Sequence, residues 1–141
     1  MRPSAVTQAE GLYLAAVALL AVTTAMTWGP MVAQFGLGLS LGASAFAIGL
    51  YLMLTLLTTR RGSVVALWLL VLATVFAVGS LAWQVVTGVL AVGWLGLLNA
   101  AQAVLMLVGA VLLFRPAARA WFALPDDVSD ERALLKEEEI A

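Results

Sequence analysis

The chain has no cysteine and no histidine. Without them there are no disulfides, no thiol redox chemistry, no thiolate metal sites and no histidine-ligated haem or zinc. Charge is scarce as well: 11% of the 141 residues are Asp, Glu, Lys or Arg, and 64% are hydrophobic. Soluble domains carry about 25% charged residues. A chain this short buries only about two-thirds of its surface on folding, so in water much of that apolar surface would stay exposed. Lipid is the solvent that fits.

The missing charges are also unevenly distributed. Residues 11–59 contain no Asp, Glu, Lys or Arg, and neither do residues 62–114. All ionised side chains lie near the N-terminus (Arg2, Glu10), in the pair Arg60-Arg61, or from Arg115 onward. No basic surface exists for nucleic acid. Proton-coupled transporters and pumps use ionisable groups inside the membrane, and the predicted spans hold none. Hydrolysis needs a nucleophile with a base or a metal, and no base stands near the serines and threonines. The sequence therefore predicts no catalytic residues, no cofactor and no metal.

What is present is apolar sequence in helical lengths. A span takes about 20 apolar residues, so each uncharged tract must cross twice. Trp28-Gly29-Pro30 marks the first turn, because proline lacks a backbone N–H and glycine loosens the chain. Thr87-Gly88 and Gly93-Trp94 mark the second. The expected fold is an all-α membrane protein, a four-transmembrane-helix up-down-up-down bundle with helices over residues 12–28, 38–58, 63–86 and 93–114. The segment 29–37 is expected as an uncharged linker. A short interfacial helix over 116–124, started by Pro116, follows. Residues 1–124 form the membrane domain and 125–141 an acidic cytoplasmic tail. The apolar run after Arg2 reads as a retained first helix rather than a cleaved signal.

Arginines precede the first helix, join the second and third, and follow the fourth, whereas the other two loops carry no charge. Because cytoplasmic loops are enriched in Lys and Arg, both termini are expected inside, in a cell inner membrane. Arg60, Arg61, Arg115 and Arg119 would then meet lipid headgroups at one interface.

Two polar or small-residue patterns stand out inside the spans. Gly38 and Gly42 form a GxxxG pair, with Ser40, Ser44 and Gly49 extending the small stripe. Such stripes let helix backbones approach closely in lipid. They could pack within the bundle, receive a second copy or another membrane protein, or line a pore. Asn99 and Gln102 share a helix face, and Gln84 and Gln34 fall in the same half of the membrane. They read as interhelical glue or as recognition of a polar headgroup or small neutral solute. Thr23, Thr24 and Thr27 are expected to bond carbonyls one turn back. Tyr51, four residues before Thr55, is expected to bond another helix or reach toward the interface.

The stretch Thr58-Thr59-Arg60-Arg61-Gly62 ahead of an apolar helix, Gln102 inside the fourth helix, and the element running from Leu112-Leu113-Phe114-Arg115-Pro116 to Trp121-Phe122 resemble a pattern in small four-helix bacterial inner-membrane proteins. The resemblance spans most of residues 10–122. It implies the four-span architecture and the bacterial inner-membrane placement, and adds no activity. The leading expectation is a non-catalytic protein acting through helix–helix packing, as an accessory or regulatory subunit of a membrane complex. The alternative is a homo-oligomeric channel or passive carrier for a neutral or apolar solute.

Overall fold

A computed structural model describes residues 3–88 and 93–122. They form helices α1 (Ser4–Met26), α2 (Trp28–Phe35), α3 (Leu37–Arg61), α4 (Val64–Val86), α5 (Trp94–Leu113) and α6 (Pro116–Phe122). The protein is all-α, and α1, α3, α4 and α5 are long and apolar enough to cross a membrane. Their 23, 25, 23 and 20 residues correspond to about 30–37 Å at 1.5 Å per residue, enough for a hydrocarbon layer of about 30 Å. This is a multi-pass membrane protein.

The first helix begins at Ser4, eight residues before the expected 12. The polar letters Thr7, Gln8 and Glu10 do not end it, because this stretch is held by packing. Ala5 and Val6 bury against Ala118 of α6, and Ala9 joins the main core. As a result Glu10 lies within a helix, on α1, and its Oε1 accepts from Arg60 Nε at 3.1 Å.

The linker expected over 29–37 is in fact α2, a helix of eight residues. Pro30 is its third residue, where the missing N–H costs little because the first four donors of any helix have no partner within it. The true breaks lie on either side. At Thr27 the hydroxyl donates to the Thr23 carbonyl at 2.8 Å. At Gly36 the backbone takes φ 79° and ψ 159°, a region closed to L side chains. Ser40 then donates to the Met31 carbonyl at 3.1 Å and ties α2 onto α3.

The α3–α4 turn falls where the Arg60-Arg61 pair places it. Gly62 takes a left-handed conformation, and Ser63 caps α4 by accepting from the Ala66 N–H at 3.3 Å. Gly88 (φ 68°) and Gly93 (φ 97°) flank the next turn. Part of the expected interfacial helix (123–124) and the acidic tail (125–141) lie outside the described residues.

The four spans form a ring in which each packs on two antiparallel neighbours: α1 on α3 and α5, and α4 on α3 and α5. The diagonal between α1 and α4 is bridged by Tyr13, whose OH lies 3.0 Å from Thr74 Oγ1. The Thr74 hydroxyl spends its own proton on the Leu70 carbonyl at 2.8 Å, so Tyr13 is the donor. Tyr51 on α3 completes the set by donating to the Ala73 carbonyl at 3.2 Å.

The packing is lopsided along the membrane normal. The core (Ala9, Tyr13, Ala16, Leu54, Ala66, Leu67, Leu70, Met106, Leu112, Leu113) sits toward the end that carries Arg60, Arg61, Arg115 and Arg119. At the far end, Val22, Met26, Leu39, Leu41, Phe46, Trp83, Val86 and Trp94 are exposed. The bundle gathers its buried core at the arginine end and opens a polar cleft at the other. In lipid an exposed leucine carries no hydrophobic penalty, since the tails are as apolar as the side chain.

Candidate functional site

A cleft lies between α4 and α5, backed by Leu20 of α1. Ser80 and Gln84 lie one turn apart on α4, and Asn99 and Gln102 one turn apart on α5; all four line it. Of the four amides expected from sequence to share one half of the membrane, Gln84, Asn99 and Gln102 are thus brought to one place, whereas Gln34, on α2, is exposed and does not line the cleft. Ser80 joins them; its signal was its position four residues before Gln84 on a common face.

The cleft encloses about 240 Å³. Its polar walls stand near the far end: Gln84 is in the last turn of α4 and Asn99 in the second turn of α5. Toward the middle of the bundle the lining becomes Phe76, Ala77, Ala103 and Met106. The Gln84 amide reaches the Ser80 hydroxyl only at 3.4 Å. Among the described residues the Asn99 and Gln102 amides bond no other side chain or carbonyl, so they do not act as interhelical glue in this structure. No ionisable side chain lines the cleft. It can orient a neutral hydrogen-bonding group; it cannot move a proton near neutral pH. Below it, the space among Tyr13, Val17, Leu20, Tyr51, Gln102 and Met106 has no room for a water molecule. The cleft has a floor at the level of the two tyrosines.

The small-residue stripe of α3 has a different fate. Of the proposed packing residues only Ser40 is buried; Gly38, Gly42 and Gly49 are exposed and Ser44 half-buried. A methyl group added at Gly38, Gly42 or Gly49 would meet nothing within 4 Å. The stripe does not pack inside the bundle: α3 is the least buried of the four spans. A glycine that does permit close approach is Gly109 on α5. There a Cβ would stand 2.8 Å from Cε2 of the Tyr13 ring. A lone glycine in an apolar helix carries no pattern, so sequence reasoning passed over it.

At the arginine end all four arginines are exposed. Arg60 keeps its ion pair with Glu10, and Arg119 borders a shallow hollow with Trp68, Phe114 and Phe122. Trp68 meets Phe114 edge-on at 6.1 Å. Of the three threonines expected to bond carbonyls one turn back, two do: Thr23 donates to the Leu19 and Leu20 carbonyls, both at 3.0 Å, and Thr27 to the Thr23 carbonyl at 2.8 Å, whereas the Thr24 hydroxyl finds no partner among the described residues. Thr55, not singled out for this, donates to the Tyr51 carbonyl at 2.7 Å.

No known protein family, curated protein or solved structure matches this chain. Function must be argued from these residues.

Proposed function

We infer that the protein is a non-catalytic membrane subunit that works by lateral helix packing, as an accessory or regulatory component of a membrane complex. The observation that carries this reading is the first half of α3. Gly38, Gly42 and Gly49 present an open backbone surface that no described residue covers, flanked by the exposed side chains of Leu37, Leu39, Leu41 and Phe46. Glycine in a helix interior is destabilising by about 1 kcal/mol relative to alanine, a cost that close packing against a second helix offsets in lipid. A second copy or a different membrane protein would supply that helix. Placement in a bacterial inner membrane with both termini cytoplasmic belongs to the same reading, supported by the arginines gathered at one end and by the motif resemblance.

The absence of native cysteine makes the test clean. A single cysteine at Leu39 or Leu41, beside Gly38 and Gly42 and exposed, should give an intermolecular crosslink in native membranes, with a second copy or with a partner. Recovery of uncrosslinked single chains, together with purification in mild detergent as a lone monomer, contradicts the reading. The carrier alternative keeps one specific support, the polar cleft, although its floor is closed at the tyrosines.

A further inference from the structure

We propose that the cleft between α4 and α5 binds the uncharged, hydroxyl- or amide-bearing head of a membrane amphiphile, with the apolar part of that ligand lying along Phe76 toward Met106. The first argument is hydrogen-bond accounting. Asn99 and Gln102 each carry two donors and an acceptor, both are half-buried, and only water or a ligand can satisfy them there. Among the described residues they bond nothing. Helix packing therefore does not explain two amides held on one wall facing Ser80 and Gln84.

The second argument is charge. No arginine, lysine or carboxylate lines the cleft, so nothing there would offset the desolvation of a phosphate or an ammonium. Amides and a hydroxyl, which both donate and accept, suit a neutral group that does the same.

The third argument is the gradient. Gln84 and Ser80 occupy the last two turns of α4, while Phe76 and Met106 lie about 15–18 Å below the helix ends at 1.5 Å per residue. All four polar groups lie in the shallow part, beside Leu20 and Leu81, and the deep part is lined by apolar groups alone, matching a molecule with a polar head and an apolar body. Phe76 is 80% exposed at the rim, so the cleft is open sideways, toward acyl chains. A volume of about 240 Å³ falls just below the ~300–1,000 Å³ of small-molecule pockets. It takes a head, with the remainder of the amphiphile outside. The closed floor makes this a binding site rather than a passage.

The test uses the full chain in phosphatidylcholine nanodiscs and a monoacylglycerol whose acyl chain carries a photoreactive diazirine near the ester. Labelling should be saturable, map to the peptides containing Phe76 and Met106, and be displaced by unlabelled monoacylglycerol. Free glycerol and anionic phosphatidylglycerol at the same concentrations should not displace it. The double variant Asn99→Leu/Gln102→Leu should label at least tenfold more weakly, the effect of one or two lost hydrogen bonds, while its thermal midpoint stays level or rises. Non-saturable labelling (a cleft filled by bulk lipid or water only), or equal displacement by glycerol or by the anionic lipid, overturns the proposal. So does undiminished labelling of the double variant. The competition on the unmodified chain decides the matter even if that variant fails to fold.

Discussion

Two glycines in this protein have opposite surroundings, and they separate packing within the chain from packing outside it. Gly109 lies under the Tyr13 ring, and an added methyl would press to 2.8 Å of it. The ring cannot easily yield, because it is buried and its hydroxyl is tied to Thr74. Gly109→Ala should therefore lower stability by about 1–3 kcal/mol, the usual cost of overpacking, measured as a lower unfolding midpoint in detergent. Gly42→Ala, whose methyl meets nothing, should leave the isolated chain unchanged or slightly more stable, yet weaken any crosslinking along α3. An equal loss of stability in both variants would place the α3 stripe inside the bundle after all. Sequence reasoning saw Gly42 because it belongs to a pattern, and missed Gly109 because its partner is 96 positions away on another helix. The same holds for Tyr13 and Thr74: each is an unremarked letter, and only the ring of helices sets them on one diagonal.

At the scale of elements, the four spans were legible because lipid demands a long apolar run and tolerates no charge within it. Their ends were less so. Composition placed a loop at Trp28-Gly29-Pro30, but a proline in the first turn starts helices as readily as it ends them, and α2 forms there. Glu10 suggested the outside of the first helix, yet its pairing with Arg60 keeps it on α1. The break that matters is Gly36, at φ 79° and ψ 159°. Gly36→Ala should cost about 1–3 kcal/mol through backbone strain alone, since no atom stands near the new methyl. Gly62→Ala, in the milder left-handed region at φ 65° and ψ 21°, should cost about 1–2 kcal/mol. Thermal unfolding of the two variants side by side checks the order.

For the whole molecule, the feature that composition could not reveal is the asymmetry between its two ends. Every span is apolar all round, so periodicity says little about which face or which half is covered. The arginine end closes because small residues (Ala5, Ala9, Ala16, Ala66, Gly109) let the helices approach around Tyr13, Leu70 and Met106. At the far end the inner faces of α4 and α5 carry amides, which line the cleft, and the glycines of α3 are exposed. That single contrast produces the uncovered first half of α3 and the polar cleft, and both functional proposals depend on it. Since the chain contains no cysteine, single cysteines can report it directly. In phosphatidylcholine nanodiscs, cysteines at Ser80, Gln84, Asn99 and Gln102 should react with a small water-soluble thiol reagent, while cysteines at Leu70, Met106 and Leu113 stay protected. Protection of all the cleft positions, at a level equal to that of the core, would mean a bundle closed along its whole length and would contradict the account.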